Sequence, residues 1–162
     1  MAARRGNEAG RSTSFPGVDR KAIEGVVSAM VEAHPWVDAV YLFGSRARGC
    51  ARGGSDIDLA VLASGLGAPD DCLMAEAELA RFVQDGLGAP VDVVLIRRDL
   101  SPGLLFDIFS VETILYACDE ERAHRVACQA RAEYRDVRPR LDRAFARVQR
   151  EIEERANALI QP

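Results

Sequence analysis

The chain has 162 residues, of which 48% are hydrophobic and 28% are charged, and its formal net charge is −4. This length suits one domain and is short for two, while the negative charge gives no general attraction to a nucleic-acid backbone and disfavours both a processive DNA polymerase and direct nucleic-acid binding. No apolar run approaches the roughly 20 residues of a membrane-spanning helix, and residues 1–17 lack the apolar segment of a signal peptide, so we expect a cytoplasmic protein without membrane contact.

The N-terminal part of the chain predicts a tail, a helix and a strand. Residues 1–17 have no apolar period and are interpreted as a disordered tail, which leaves residues 18–162 as one predicted domain. Asp19 can cap a helix that ends after His34, before Pro35. The apolar and partly β-branched run at residues 37–43 then predicts the first strand.

Two further strands and a helix are predicted in the middle of the chain. Residues 56–63 predict a second strand, and residues 91–96 are apolar enough to predict a third strand in the centre of the sheet. Asp70 or Asp71 can cap a helix between these strands that reaches about residue 85.

The C-terminal third predicts mainly helices. Ser101 followed by Pro102 predicts the start of a short helix to about residue 109. Residues 111–117 predict one more strand, and charged segments beyond it predict two helices, joined or kinked near Pro139. The chain as a whole predicts an α/β (α+β) domain with a small mixed sheet, flanking helices and C-terminal helices.

The last predicted helix carries apolar side chains at three- and four-residue steps, with charged residues on the other faces. These apolar residues are Leu141, Phe145, Val148, Ile152 and Leu159. Two interpretations remain open, because such a stripe can pack against the chain's own sheet or form a seam with a partner or a second copy.

A glycine-serine turn and a pair of aspartates carry the chemistry. Gly44 and Ser45 follow the first strand, and ten residues separate Ser45 from Asp56. Such a turn can present backbone N–H groups and a hydroxyl to an anion.

Because alternate side chains of a strand share a face, Asp56 and Asp58 should project together while Ile57 turns into the core. Two carboxylates about 6 Å apart repel by about 3 kcal/mol at a dielectric constant of about 20. The pattern therefore favours a hard cation such as Mg²⁺ beside a phosphate site.

This pattern resembles the nucleotidyltransferase superfamily that includes polymerase beta, and within it the minimal nucleotidyltransferases, whose signature is Gly-Ser, ten residues and Asp-x-Asp. The runs that carry the resemblance are Arg46-Ala47-Arg48-Gly49 and Ser55-Asp56-Ile57-Asp58-Leu59. The resemblance covers residues 18–160 and implies a polymerase beta-like nucleotidyltransferase fold. It also implies a third carboxylate on a later strand, and Asp92 stands in that place.

The resemblance implies a role for each residue of the candidate site. The implied catalytic residues, which would also bind two Mg²⁺ ions, are Asp56, Asp58 and Asp92. The implied nucleotide-binding residues are Gly44, Ser45, Arg46 and Arg48. The turn would hold the β- and γ-phosphates of a nucleoside triphosphate, and an arginine would neutralise the charge that builds on the leaving pyrophosphate.

Small proteins with this signature resemble the antitoxin of HEPN/MNT toxin–antitoxin pairs. The resemblance implies that the chain transfers AMP from ATP to a tyrosine of a cognate HEPN ribonuclease toxin, neutralises it, and forms a hetero-oligomer with it. One alternative is a small-molecule nucleotidyltransferase, like those that adenylylate aminoglycosides, although only about 45 residues follow the predicted sheet. Another alternative is a non-catalytic antitoxin that acts by binding alone.

Overall fold

The structure is a computed structural model that describes residues 18–52, 54–66, 68–111 and 113–160. The predicted disordered tail at residues 1–17 lies outside the described residues. In chain order the helices and strands are α1 (Arg20–Ala33), β1 (Val37–Phe43), α2 (Gly44–Ala47), β2 (Ile57–Ala63), α3 (Pro69–Leu87), β3 (Val91–Leu95), α4 (Pro102–Ser110), β4 (Ile114–Ala117) and α5 (Glu120–Ile160). Within the described ranges, no helix combines the length and the apolar character needed to cross a membrane.

The four strands form one mixed sheet in the order β3-β2-β1-β4. β1 pairs antiparallel with β2 and with β4, whereas β2 and β3 are parallel. The parallel pair requires a crossover connection, which α3 supplies. The predicted fold class, a small mixed sheet flanked by helices, is confirmed.

The predicted central position of the third strand is wrong, because β3 lies at the edge of the sheet and β1 and β2 occupy its centre. Val93 and Val94 are only half-buried and Asp92 is exposed. Two apolar side chains of β3, Val91 and Leu95, are buried in the core that α1 and α3 cover. The apolar run of β3 thus reflects its contact with the covering helix α3. It does not indicate the position of the strand in the sheet.

Helices cover both faces of the sheet and make two cores. One core joins α1 and α3 to the sheet through Met30, Leu59 and Leu79, and the other joins α4 and the first part of α5 to it through Ala60 and Ile108. Because successive side chains of a strand point to opposite faces, β2 contributes side chains to both cores. Its central position keeps the start of the strand, where the candidate site lies, fixed between two packed layers.

Two predicted helix caps are confirmed. The side chain of Asp19 accepts a hydrogen bond from the backbone N–H of Ala22 at 2.8 Å at the start of α1. The hydroxyl of Ser101 accepts one from the backbone N–H of Leu104 at 3.2 Å at the start of α4. Both bonds satisfy N–H groups that have no partner within the helix.

The predicted cap of α3 is wrong. The helix begins at Pro69 with Ala68 as the capping residue, and Asp70 and Asp71 lie in its first turn. A proline at the first helical position has the helical φ angle and lacks an N–H that would need a partner there. The two carboxylates still stabilise the helix, because they lie at the positive end of its dipole.

The two predicted C-terminal helices are one helix, α5, which has 41 residues and contains Pro139. Its first part packs on the sheet through Ala123, Ala127 and Ala130, which are buried. Arg122 also ties it to β1 through a 2.5 Å hydrogen bond to the carboxylate of Asp38. A proline inside a helix removes one hydrogen bond, but this loss does not end α5.

Three of the described side chains in the apolar stripe of α5 are exposed and do not enter either core. Phe145 is 69% exposed, Val148 49% and Ile152 61%, while Leu141 is half-buried. The side chain of Leu159 lies outside the described part. Of the two interpretations of the stripe, the seam with a partner or a second copy is therefore the one that fits this exposure.

Candidate functional site

The glycine-serine turn and the first residues of β2 and β3 meet at one end of the sheet. Phe43, the last residue of β1, lies opposite Asp58 in β2, and Asp58 lies opposite Asp92 in β3. Gly44 follows directly and begins α2. The turn and two of the three predicted aspartates therefore form a row across three adjacent strands.

Gly44 brings the backbone of the turn against the carboxylate of Asp58. Its φ is +68°, and a Cβ built at this position would lie 2.0 Å from Asp58 Oδ2. Any other residue would meet both a left-handed backbone and a steric clash. The motif therefore requires a glycine at position 44, because the turn approaches Asp58 of β2 so closely.

Backbone hydrogen bonds hold the turn closed. The N–H of Arg48 donates to the carbonyl of Gly44 at 3.3 Å, and the N–H of Cys50 donates to the carbonyl of Ser45 at 3.0 Å. Within the described residues the hydroxyl of Ser45 makes no hydrogen bond. The serine therefore offers a donor and an acceptor at the mouth of the site, on a turn whose own carbonyls are already bonded.

Burial and the negative charges of the neighbouring carboxylates oppose the ionisation of Asp58. Burial raises the pKa of Asp58, and the carboxylates of Asp92 and Asp56 raise it further. The guanidinium of Arg48 acts in the opposite direction and lowers this pKa, while Asp107 raises it. The arrangement favours a bound cation, because a cation would offset this mutual repulsion.

Carboxylate oxygens are the ligands that Mg²⁺ prefers, so the donor set fits this ion in its chemistry. Among the described residues, however, no three His, Cys, Asp or Glu side chains are gathered closely enough to hold a metal ion as they stand. Asp58 and Asp92 lie opposite each other, whereas Asp56 is exposed and precedes β2. Coordination by all three aspartates would require their side chains to move together.

Arg46 lies beneath the loop that leads into β2. Its Nε and Nη2 donate to the carbonyl of Ser55 at 3.3 and 2.9 Å. Its Nε also donates to the carbonyl of Asp56 at 3.2 Å. Its Nη1 donates to the carbonyl of Val18 at 3.3 Å. Three carbonyl groups thus share one guanidinium. This geometry favours a role in fixing the Ser55–Asp56 backbone, and nucleotide contact by Arg46 stays a prediction.

Arg48 contacts Asp107, a residue that the sequence analysis did not identify. Its Nη1 donates to Oδ1 of Asp107, in α4, at 2.6 Å. No spacing rule connects residue 107 with the motif, because the two meet only when α4 packs over the sheet. The available signal was one carboxylate among the apolar residues of a short helix, Pro102–Ser110.

Several solved structures share this fold. A chain of a structure described as a toxin–antitoxin with AMP-PNP is 24% identical, with a TM-score of 0.65, and the match covers 78% of this chain and 98% of that one. A chain of the toxin–antitoxin MntA-HepT is 22% identical, with a TM-score of 0.62, covering 80% and 99%. A chain of the tri-AMPylated Shewanella oneidensis HEPN toxin in complex with MNT antitoxin is 22% identical, with a TM-score of 0.62, covering 80% and 98%.

The family of the chain follows from its sequence. A comparison with curated proteins found no match. The sequence model of the family described as "Polymerase beta, Nucleotidyltransferase" matches residues 27–121, which is more than half of the chain and includes the turn and all three aspartates. The chain belongs to the polymerase beta nucleotidyltransferase family.

Proposed function

We propose that this chain is an antitoxin that transfers AMP from ATP to a tyrosine of a cognate HEPN toxin and thereby neutralises it. The observation that carries the proposal is the pairing of Asp58 with Asp92 directly beside the turn at Gly44. The proposal is supported by membership of the nucleotidyltransferase family. It is also supported by the fold shared with one chain of a structure described as a tri-AMPylated HEPN toxin in complex with MNT antitoxin.

The triphosphate of the nucleotide is bound by the turn. Gly44 and Ser45 present backbone N–H groups, and the Ser45 hydroxyl makes no hydrogen bond within the described part of the protein. These groups hold the β- and γ-phosphates, and Arg48 offsets the negative charge of the leaving pyrophosphate. ATP is favoured as the substrate because a structure with the same fold contains its analogue AMP-PNP.

The aspartates serve the transfer step. Asp56, Asp58 and Asp92 are the residues that would hold two Mg²⁺ ions, which when bound supply charge neutralisation around the transferred phosphoryl group. A tyrosine hydroxyl attacks the α-phosphorus, the bond from this phosphorus to the bridging oxygen breaks, and pyrophosphate leaves with the bonding electron pair. Asp92 is exposed at the start of β3, where an incoming hydroxyl can reach it, and accepts the phenolic proton.

A protein substrate fits the surface of the chain. The exposed apolar face of α5, formed by Phe145, Val148 and Ile152, lies beyond the part of the helix that packs on the sheet. An unpaired apolar helix face of this kind is typical of protein interfaces. This surface supports a hetero-oligomer in which the toxin is both the partner and the acceptor of AMP.

Intact mass measurement tests the proposal. The protein is incubated with ATP, Mg²⁺ and the product of the adjacent reading frame, and that product is expected to gain one or more AMP units on a tyrosine. Label on the α-phosphate of ATP should enter the product, and label on the γ-phosphate should not. The matched control, Asp56→Ala with Asp58→Ala, should bind the partner without modifying it.

Two results would redirect the assignment. A partner that binds but gains no AMP, and is still neutralised by the double variant, would contradict transfer and favour an antitoxin that acts by binding alone. Transfer to added aminoglycosides in place of the partner would favour the small-molecule alternative.

A further inference from the structure

We propose that Asp107 is a positioning residue, which holds Arg48 at the edge of the site so that its guanidinium binds the β- and γ-phosphates of the nucleotide. The inference rests on the proposed function and adds a residue of α4 to a site otherwise built from α2, β2 and β3. Asp107 acts here through Arg48 and does not touch the substrate itself.

The contact between the two side chains is short and directed. Arg48 is the C-terminal capping residue of α2, the helix that begins at Gly44. Its Nη1 lies 2.6 Å from Oδ1 of Asp107. A guanidinium has five N–H donors, and this bond uses one of them. Among the described residues the side chain of Arg48 makes no other hydrogen bond, so its remaining donors are available for phosphate oxygens.

The pair lies at the same end of the sheet as the aspartates. Arg48 ends α2, the helix whose first residue, Gly44, approaches the Asp58 carboxylate so closely that a Cβ there would lie 2.0 Å from Oδ2. Arg46, the other arginine of the turn, is already bonded to the carbonyls of Val18 and Ser55. Of the two motif arginines, Arg48 is therefore the one whose charge remains available to a nucleotide.

A partner is needed because Arg48 is exposed. Its side chain is 43% exposed, and a long exposed side chain occupies many rotamers unless a neighbour selects one. Asp107 is well suited to this, because α4 is anchored by Leu105, Ile108 and Phe109, which are buried. A carboxylate on an anchored helix can hold the guanidinium in one place before the nucleotide arrives.

Equilibrium binding separates this role from a purely structural ion pair. The dissociation constants of a non-hydrolysable ATP analogue and of AMP are measured with Mg²⁺ for the wild type, Asp107→Asn, Arg48→Gln and the double variant. Arg48→Gln should weaken analogue binding about tenfold, and Asp107→Asn about threefold. The double variant should bind no more weakly than Arg48→Gln alone. AMP binding should not change in any of them, because AMP lacks the β- and γ-phosphates.

Two further variants complete the test. Asp107→Glu keeps the carboxylate and should recover most of the lost affinity. Glu121→Gln removes a matched 2.6 Å ion pair with Arg125 on α5 and should bind like the wild type. Exposed ion pairs contribute little to stability, so all variants should melt close to the wild-type temperature.

Several outcomes would overturn the inference. Unchanged analogue binding in Asp107→Asn would show that Arg48 needs no positioning. Further weakening by Asp107→Asn in the Arg48→Gln background would show that Asp107 acts by its own charge or contact. Equal loss of AMP binding would contradict the assignment to the outer phosphates. A wild-type protein that binds no ATP analogue would overturn the proposed function together with this inference.

Discussion

Asp58 and Asp92 lie directly opposite each other on the parallel strands β2 and β3. A pair of like charges at this position is destabilising, and burial adds to the effect by raising the pKa of Asp58. The fold therefore accepts an electrostatic penalty at the point where the turn at Gly44 closes on the sheet. Such a penalty is typical of a site that is completed by a cation.

Asp58→Asn should separate stability from activity. In the absence of divalent ions the variant should melt about 2 °C higher, because the repulsion with Asp92 and Asp56 is removed. AMP transfer should fall at least about a hundredfold, since a metal ligand is lost. Thermal unfolding with a chelator and the intact mass assay measure the two effects. A lower melting temperature would show that the carboxylates do not repel each other.

Gly44→Ala should be far more damaging than Gly49→Ala. Both glycines have a φ of +68°, but a Cβ at Gly44 would meet the Asp58 carboxylate at 2.0 Å, whereas nothing lies within 4 Å at Gly49. Gly49→Ala should cost about 1 kcal/mol from backbone strain alone. Gly44→Ala should cost about 3 kcal/mol and abolish nucleotide binding. Denaturant unfolding and calorimetry provide the comparison, and equal costs would refute the close approach.

Arg46→Met should loosen the loop before β2. The variant removes the hydrogen bonds from the guanidinium to the carbonyls of Val18, Ser55 and Asp56. Stability should fall by about 1–2 kcal/mol, and hydrogen exchange should accelerate in the peptide that contains residues 52–58. Arg52→Met serves as a control on the same loop, since Arg52 is exposed. Unchanged exchange in Arg46→Met would show that this arginine does not fix the loop.

Tyr41→Phe should change the response of the protein to high pH. Burial raises the pKa of Tyr41 from 10.0 to about 12, and its hydroxyl donates to the carbonyl of Ala123 at 3.3 Å. Between these pH values the unfolded chain loses the phenolic proton before the folded chain does. The stabilisation is therefore complete below pH 10 and is lost as the pH rises towards 12.

Unfolding measured with denaturant at several pH values tests this effect. Between pH 10 and 12 the wild type should lose about 2 kcal/mol more stability than Tyr41→Phe. All other groups titrate in both proteins, so the difference between the two curves reports Tyr41. Parallel curves would show that the phenol ionises as readily in the folded protein as in the unfolded chain.

Truncation after Pro139 should leave the fold intact. The side chains through which α5 enters the core, Ala123, Ala127 and Ala130, precede the cut, and residues 142–156 are exposed. The melting temperature should shift by less than about 2 °C, because little apolar area leaves the core. Partner binding should be lost, and Phe145→Ser with Ile152→Ser should reproduce that loss. Aggregation of the truncated chain would instead indicate that the stripe belongs to the core.

The sequence was most informative where a local pattern determined the structure. The strand at residues 37–43, the caps at Asp19 and Ser101 and the burial of Ile57 all follow from patterns within a few residues. The Gly-Ser and Asp-x-Asp spacing also identified the family, because it joins a turn to a strand in one short segment.

The remaining features depend on contacts between distant parts of the chain. The edge position of β3 depends on pairing with β2, and the ion pair of Asp107 with Arg48 depends on the packing of α4. The sequence also could not predict whether the α5 stripe is exposed, since the same periodicity is typical of a core helix and of an interface helix. The predicted division of the C-terminal segment into two helices near Pro139 was wrong, because Pro139 lies inside the single helix α5.

A crystal structure with Mg²⁺ and a non-hydrolysable ATP analogue would show whether the three aspartates and the turn at Gly44 form one nucleotide site. We predict a cation between the carboxylates of Asp58 and Asp92, with Asp56 turned towards it, and the β- and γ-phosphates against the backbone of Gly44 and Ser45. A nucleotide bound elsewhere, with the three aspartates still apart and no cation between them, would rule out this site.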